Sequence, residues 1–226
     1  HWALKDGKPT SSKIFTYGLA QCLLAYAAAL RAGCKSAKPF LDETWETLEK
    51  RLFVERDGLY AEEASSDWKV DEYRSESGNL HMTEALIACY EATSDQKFLD
   101  RALLVADKIC NRAAGQTQGL VWEHFDETWT ANLEFDNDNE ALKIFRPWGF
   151  QPGHQVEWAR FLLTIDRHCK AAGQARWWLA AWKSTSELGY NAVTATMSRQ
   201  WMSSQNLIST QVARAQGALP LRRRCR

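Results

Sequence analysis

The sequence predicts an all-α protein, a toroid of α-hairpins, on three observations. Apolar residues recur at helical spacing in pairs of segments joined by a few polar residues. The longer segments between pairs open alike: Asp57-Gly58-Leu59-Tyr60-Ala61-Glu62 against Gln118-Gly119-Leu120-Val121-Trp122-Glu123. The helices that follow also open alike, Asn79-Leu80-His81-Met82-Thr83-Glu84 against Pro152-Gly153-His154-Gln155-Val156-Glu157, each bringing His-x-x-Glu into a first turn. A recurrence roughly 60–75 residues apart is too long for the common solenoid repeats. It suits hairpins set in a ring with their loops rising on one face.

Taken in order, residues 1–12 hold an Asp6-Gly7 turn between aromatic and apolar residues, the pattern of a short hairpin or loop. Lys13 to Ala32 is apolar on a broad face, with Ser11 or Ser12 as cap and Gly33 as stop. Pro39 to Phe53 repeats Leu41, Trp45, Leu48 and Leu52 at helical spacing. Leu80–Ala92 and Asp95–Arg112 form a second pair, with Ser94 as the expected N-cap of its second helix. Gly153–Ala171 and Gln174–Leu188 form a third around Gly173.

The chain of 226 residues is 45% apolar and 25% charged, which excludes a disordered or fibrous protein. The longest nearly apolar run, Leu19 to Leu30, is twelve residues broken by Gln21, too short to cross a bilayer. The amino end, which begins at His1, shows no basic-then-apolar leader, so a cytoplasmic protein with no membrane partner is expected. Six cysteines without a CxxC pair read as reduced thiols, mostly buried in helices. Phosphate-cradling glycine loops and dinucleotide fingerprints are absent, so no cofactor is expected.

Net charge is zero but uneven. Residues 1–187 carry 22 basic and 28 acidic groups, while 188–226 hold six arginines and no carboxylate. The reading is a folded helical domain over 1–187 and an atypical basic tail over 188–226, disordered or frameshifted. No nucleic-acid recognition motif accompanies those arginines, so no nucleic-acid partner is expected.

Only five histidines are present, so two at matching helix starts carry information. His81 with Glu84 and His154 with Glu157 share a helix face at i and i+3. Exposed N–H groups at a helix start disfavour imidazolium, so both rings are expected neutral and able to accept a proton from a substrate carbon or hydroxyl. Spacing alone leaves open a buried polar network bracing the loops, or a metal site. Of eleven tryptophans, Trp68, Trp122, Trp129 and Trp148 fall in loops, as sugar-stacking faces or as packing. Trp45, Trp177, Trp178 and Trp182 read as core.

The run Arg146-Pro147-Trp148-Gly149-Phe150-Gln151-Pro152-Gly153-His154-Gln155-Val156-Glu157-Trp158-Ala159-Arg160-Phe161-Leu162-Leu163 resembles the signature of the N-acylglucosamine 2-epimerase superfamily, which includes mannose and sulfoquinovose isomerases. Asn79-Leu80-His81-Met82-Thr83-Glu84-Ala85-Leu86 is similar to its other histidine motif, and Phe15-Thr16-Tyr17-Gly18-Leu19-Ala20-Gln21 to an inner helix. The resemblance runs from about residue 1 to residue 185.

It implies an (α/α)6 barrel, here an incomplete arc, and a metal-independent isomerase or epimerase that moves a proton at C2 of a free hexose or N-acylhexosamine. It implies catalytic roles for His154, Glu157 and His81, with Tyr17, Asn79, Glu84, Trp122 and Trp148 around a small-molecule sugar, and leaves room for a homodimer. A family asparagine is replaced by Ser77. The chain is expected to be truncated, lacking the family's second catalytic histidine, and so inactive or nearly so. Two other readings stand beside this one. One is a non-catalytic carbohydrate-binding toroid. The other is an (α/α)6 glycoside hydrolase using two of Glu123, Asp126, Glu127, Asp136 and Asp138.

Overall fold

A computed structural model describes residues 4–9, 11–135 and 146–171. The expected helix Gln174–Leu188, the 188–226 tail, Asp136, Asp138, Trp177, Trp178 and Trp182 lie outside the described residues. Helices dominate, and strands are two-residue pieces confined to loops. The first pair, β1 (Leu4–Lys5) and β2 (Lys8–Pro9), closes the expected hairpin, with Asp6 and Gly7 at φ of 51° and 73°. Positive φ at both central residues is what such a turn requires. The others are β3 (Ile14–Phe15), β4 (Phe53–Val54), β5 (Leu59–Tyr60), β6 (Glu63–Ala64), β7 (Arg74–Ser75) and β8 (His124–Phe125). They pair antiparallel as β3–β6, β4–β5 and β7–β8.

α1 (Thr16–Arg31) begins later than its apolar pattern suggests. Pairing with β6 holds Ile14 and Phe15 extended, and the Thr16 N–H donates to the Glu62 carbonyl. Phe15 is therefore the cap residue, without a side-chain bond, and neither Ser11 nor Ser12 is used. Gly33, at φ 91°, follows the helix as expected. α2 (Lys38–Arg51) buries Leu41 and Leu48, and Trp45 packs edge-on against Phe98.

α3 (Glu76–Thr93) starts four residues before the expected Leu80. The Ser75 hydroxyl accepts from the Ser77 N–H, satisfying one of the donors a helix start leaves orphaned. Ser94, at φ 58°, ends α3, and Asp95 takes the cap of α4 (Gln96–Asp107) by accepting from the Lys97 N–H. Past α4 the chain widens into a π turn, Lys108–Ala113, and then tightens into a 3-10 turn, Ala114–Thr117. α5 (Pro152–Ala171) starts within one residue of expectation.

α1 packs on α2 and α3, and α3 on α4 and α5. An inner row of α1, α3 and α5 is thus backed by α2 and α4. α3 sits in the middle and is buried on most sides, Asn79, Leu80, Met82, Ala85, Leu86 and Cys89 being fully enclosed. That is the hairpin arrangement of an (α/α)6 toroid, built in arc. The described cysteines are free thiols; Cys89, Cys110 and Cys169 are buried, Cys22 and Cys34 exposed. Among the described residues no helix is long and apolar enough to cross a membrane.

Candidate active site

The loops on one side of the inner row are two copies of one unit, 61 residues apart. Each copy starts on a left-handed glycine, Gly58 at φ 70° and Gly119 at 87°. Each accepts a backbone bond from the start of the preceding inner helix, Glu62 C=O from the Thr16 N–H and Glu123 C=O from the Glu76 N–H. Each closes on the same turn, with Trp68 N–H donating to Ser65 C=O and Trp129 N–H to Asp126 C=O. Both tryptophans adopt positive φ, 67° and 60°. The Asp126 side chain belongs to that turn, Oδ1 accepting from the Thr128 and Thr130 N–H groups at 2.8 and 3.0 Å.

Side-chain amides lock each unit to an inner helix. Asn79 accepts from the Tyr60 N–H and donates to the Tyr60 carbonyl, both at 2.9 Å. Gln155 treats Val121 the same way, at 3.1 and 2.8 Å. Since Tyr60 and Val121 are equivalent, so are Asn79 and Gln155. This corrects the alignment drawn from sequence: Gly78, not His81, is the counterpart of His154. It also places His81 at the sixth residue of α3, a turn beyond the helix start, whereas His154 is in the first turn of α5.

Two buried carboxylates converge on His154. Its Nδ1 lies 2.6 Å from Glu76 Oε1 and 2.9 Å from Glu123 Oε1. Nδ1 has one hydrogen to give, and the aligned bond runs to Glu123. Glu76 is fully buried, and its Oε2 accepts from the Trp158 indole N–H at 2.8 Å. The expectation of a neutral His154 fails here. Burial would lower its pKa, but hydrogen bonds and charge from Glu123 and Glu76 outweigh that and raise it to about 11. Burial, then repulsion from Glu76, pushes the Glu123 pKa upward, against the hydrogen bond and charge of His154. Glu76, Glu123 and His154 also offer ligand atoms within 4.8 Å of one another, the set among the described residues that could hold a cation.

His81 is the neutral ring. Burial lowers its pKa against the pull of Glu84, Glu157 and Glu76, while His154 adds repulsion. Neutrality thus follows for this one residue, from burial rather than a helix end. Its Nδ1 stands 3.7 Å from Glu84 Oε2, and Tyr17 meets the ring edge-on at 4.7 Å between centroids. Glu84 is held by Arg160 at 3.0 Å.

The other expected residues take varied positions. Glu157 lies on the same helix face as His154, yet the carboxylates that engage His154 come from Glu76 and Glu123. Asn79 is fully buried with its amide occupied by Tyr60. Trp122 is 2% exposed; its N–H donates to Asn132 C=O, and its ring meets that of Trp148, which is 67% exposed, edge-on at 5.4 Å between centroids. Trp129 is buried as packing.

The segment carrying Trp148 is tied down by His124, whose Nε2 bonds the Pro147 carbonyl and whose Nδ1 meets the Tyr73 hydroxyl, both at 2.8 Å. Its pKa falls to about 4, chiefly through burial, so the ring is neutral. Arg146 reaches Glu63 at 2.9 Å and lies 4.1 Å over the Tyr73 ring. Sequence reasoning missed Glu76 and His124. Ser75-Glu76, a cap residue followed by an acid, was the available signal for the first.

A profile of the N-acylglucosamine 2-epimerase (GlcNAc 2-epimerase) family matches residues 1–206. The D-mannose isomerase of Marinomonas mediterranea is 40% identical over 191 residues, covering 84% of this chain and 47% of that protein. A crystal structure of a D-mannose isomerase superposes with a TM-score of 0.73 at 39% identity, over 83% of this chain and 47% of that one. The cellobiose 2-epimerase of Spirochaeta thermophila shares the fold at 20% identity, with a TM-score of 0.63 over 84% and 47% of the two chains. The chain spans about half the length of these relatives.

Proposed function

The chain belongs to the N-acylglucosamine 2-epimerase family, and on that premise we propose that it serves a sugar isomerase or epimerase that moves a proton at C2 of a free hexose or N-acylhexosamine. The observation that carries this reading is His154, with Nδ1 engaged by two buried carboxylates and Nε2 as its remaining ring nitrogen.

A ring charged at rest donates first. His154 would give its Nε2 proton to a sugar oxygen, and the neutral imidazole left behind is then the base for the C2 proton. Glu76 and Glu123 fix the ring's tautomer and keep its proton affinity high through both steps. His81, neutral beside Tyr17 and Glu84, suits a hydrogen bond to a sugar hydroxyl, and the exposed Trp148 offers an aromatic face to the apolar side of a sugar ring. Glu157 adds negative charge near His81. D-mannose is the first substrate to test, because the relatives at 40% and 39% identity are D-mannose isomerases.

The test is exchange of the C2 hydrogen in D2O, followed by NMR with D-mannose, D-glucose and N-acetylmannosamine on the full chain and on His154→Gln. Exchange by the wild-type chain that the variant abolishes would support the reading. Exchange that survives in His154→Gln, or none from wild type that binds sugar, overturns the reading.

A further inference from the structure

Glu62 is the counterpart of Glu123 in the first loop unit, and the chemistry above leaves it unused. In the second unit the carboxyl meets the His154 ring; in the first, the equivalent helix residue is Gly78, which has no side chain. A Cβ placed there would stand 2.5 Å from Glu62 Oε2, so only glycine clears the carboxyl. Glycine inside a helix is unfavourable, and its presence in the first turn of α3 marks a close approach. Glu62 Oε2 is buried and has no hydrogen-bond partner among the described residues, although the residue as a whole is only half-buried.

The groups facing Glu62 come from several elements. Arg146 and the Gly78 N–H favour its anion; Glu63 and Glu76 oppose it, and burial opposes it most, so the carboxyl titrates at about 7. Tyr73 lies close enough to feel its charge, as it does that of Glu123 and Arg146. The charge of Glu76 thus acts on both Glu62 and His154.

We propose that Glu62 is a sugar-binding residue of this site, its carboxyl hydrogen-bonded to a substrate oxygen. The proposal rests on the isomerase or epimerase reading for its substrate class. A sugar oxygen would supply the partner that the protein does not give Oε2. The acid form donates to it, and the anion, facing Glu63 and Glu76, holds the sugar less well.

The experiment measures D-mannose affinity by ligand-observed NMR, and KM and kcat by C2 exchange, for the full chain between pH 6 and 8.5. Glu62→Ala is expected to weaken binding about tenfold at pH 6, the loss of one buried hydrogen bond. Glu62→Gln, which mimics the acid form, is expected to stay within about threefold there. It should also lack the weakening that wild type shows toward pH 8.5. The effect should fall on KM more than on kcat, the reverse of His154→Gln. Unchanged affinity in Glu62→Ala, or a Glu62→Gln profile that keeps the wild-type inflection, overturns the proposal. Wild-type binding without exchange removes the reaction reading while the affinities still decide Glu62. No binding by wild type overturns both.

Discussion

Gln155 grips the backbone of Val121 with the same pair of hydrogen bonds by which Asn79 grips that of Tyr60. Both amides are engaged by backbone groups of the protein itself. Both fix the height of a loop unit against an inner helix, and so the position of the glutamate two residues further on, Glu62 or Glu123.

Asn79→Ala and Gln155→Ala should therefore each destabilise the fold by about 1–3 kcal/mol, because a backbone N–H and C=O lose their partners. Equilibrium urea unfolding measures this. A loss under about 0.5 kcal/mol at either site would show that the clamp is dispensable.

His154 should make stability depend on pH in a defined direction. Its pKa is raised to about 11 from an ordinary value of 6.5, so its stabilisation is complete below 6.5 and disappears as pH rises through 11. The stability gap between wild type and His154→Gln should be widest near pH 6 and narrow toward pH 11. Ring chemical shifts should also report a lower His154 pKa in Glu123→Gln. A gap that widens with rising pH contradicts the cluster described.

His124 should tilt stability the other way. A buried ring whose pKa is lowered to about 4 from 6.5 stabilises the fold above 6.5 and loses that contribution as pH falls toward 4. Thermal unfolding of His124→Gln between pH 4 and 7 should show a shallower acid slope than wild type. An equally steep slope would place the acid sensitivity elsewhere.

Gly78→Ala should separate stability from binding. The added Cβ meets the end of a flexible side chain, so Glu62 can swing away, and alanine favours the helix. The melting temperature should change by only a few degrees. D-mannose affinity should fall about as far as in Glu62→Ala, by roughly tenfold. Unaltered affinity would mean that Glu62 does not need its present position.

Much of the arc was legible because its signals are local. Asp6-Gly7 dictates its turn, Gly33 its helix stop, and the Pro152-Gly153-His154 helix starts where its pattern begins. The start of α3 was not legible. Ser75-Glu76-Ser77-Gly78 is poor in helix formers, and only the Ser75 cap and the contacts around Glu76 and Asn79 make it helical. Losing that turn hid Glu76, the carboxylate nearest His154. The matched His-x-x-Glu spacing misled in a related way, since His81 and His154 occupy different levels of their helices. His154's charge was misjudged because a helix end is a weak field beside two carboxylates contributed from distant sequence.

The paired loop units make the molecule its own reference. Glu62 and Glu123 share backbone bonds and turn, and the facing helix carries Gly78 beside one and His154 beside the other. One sample thus presents the same carboxyl with and without an imidazole. Carbon-13 titration of both side chains in a single spectrum would read the influence of that histidine directly, with no variant to prepare and no second fold to compare.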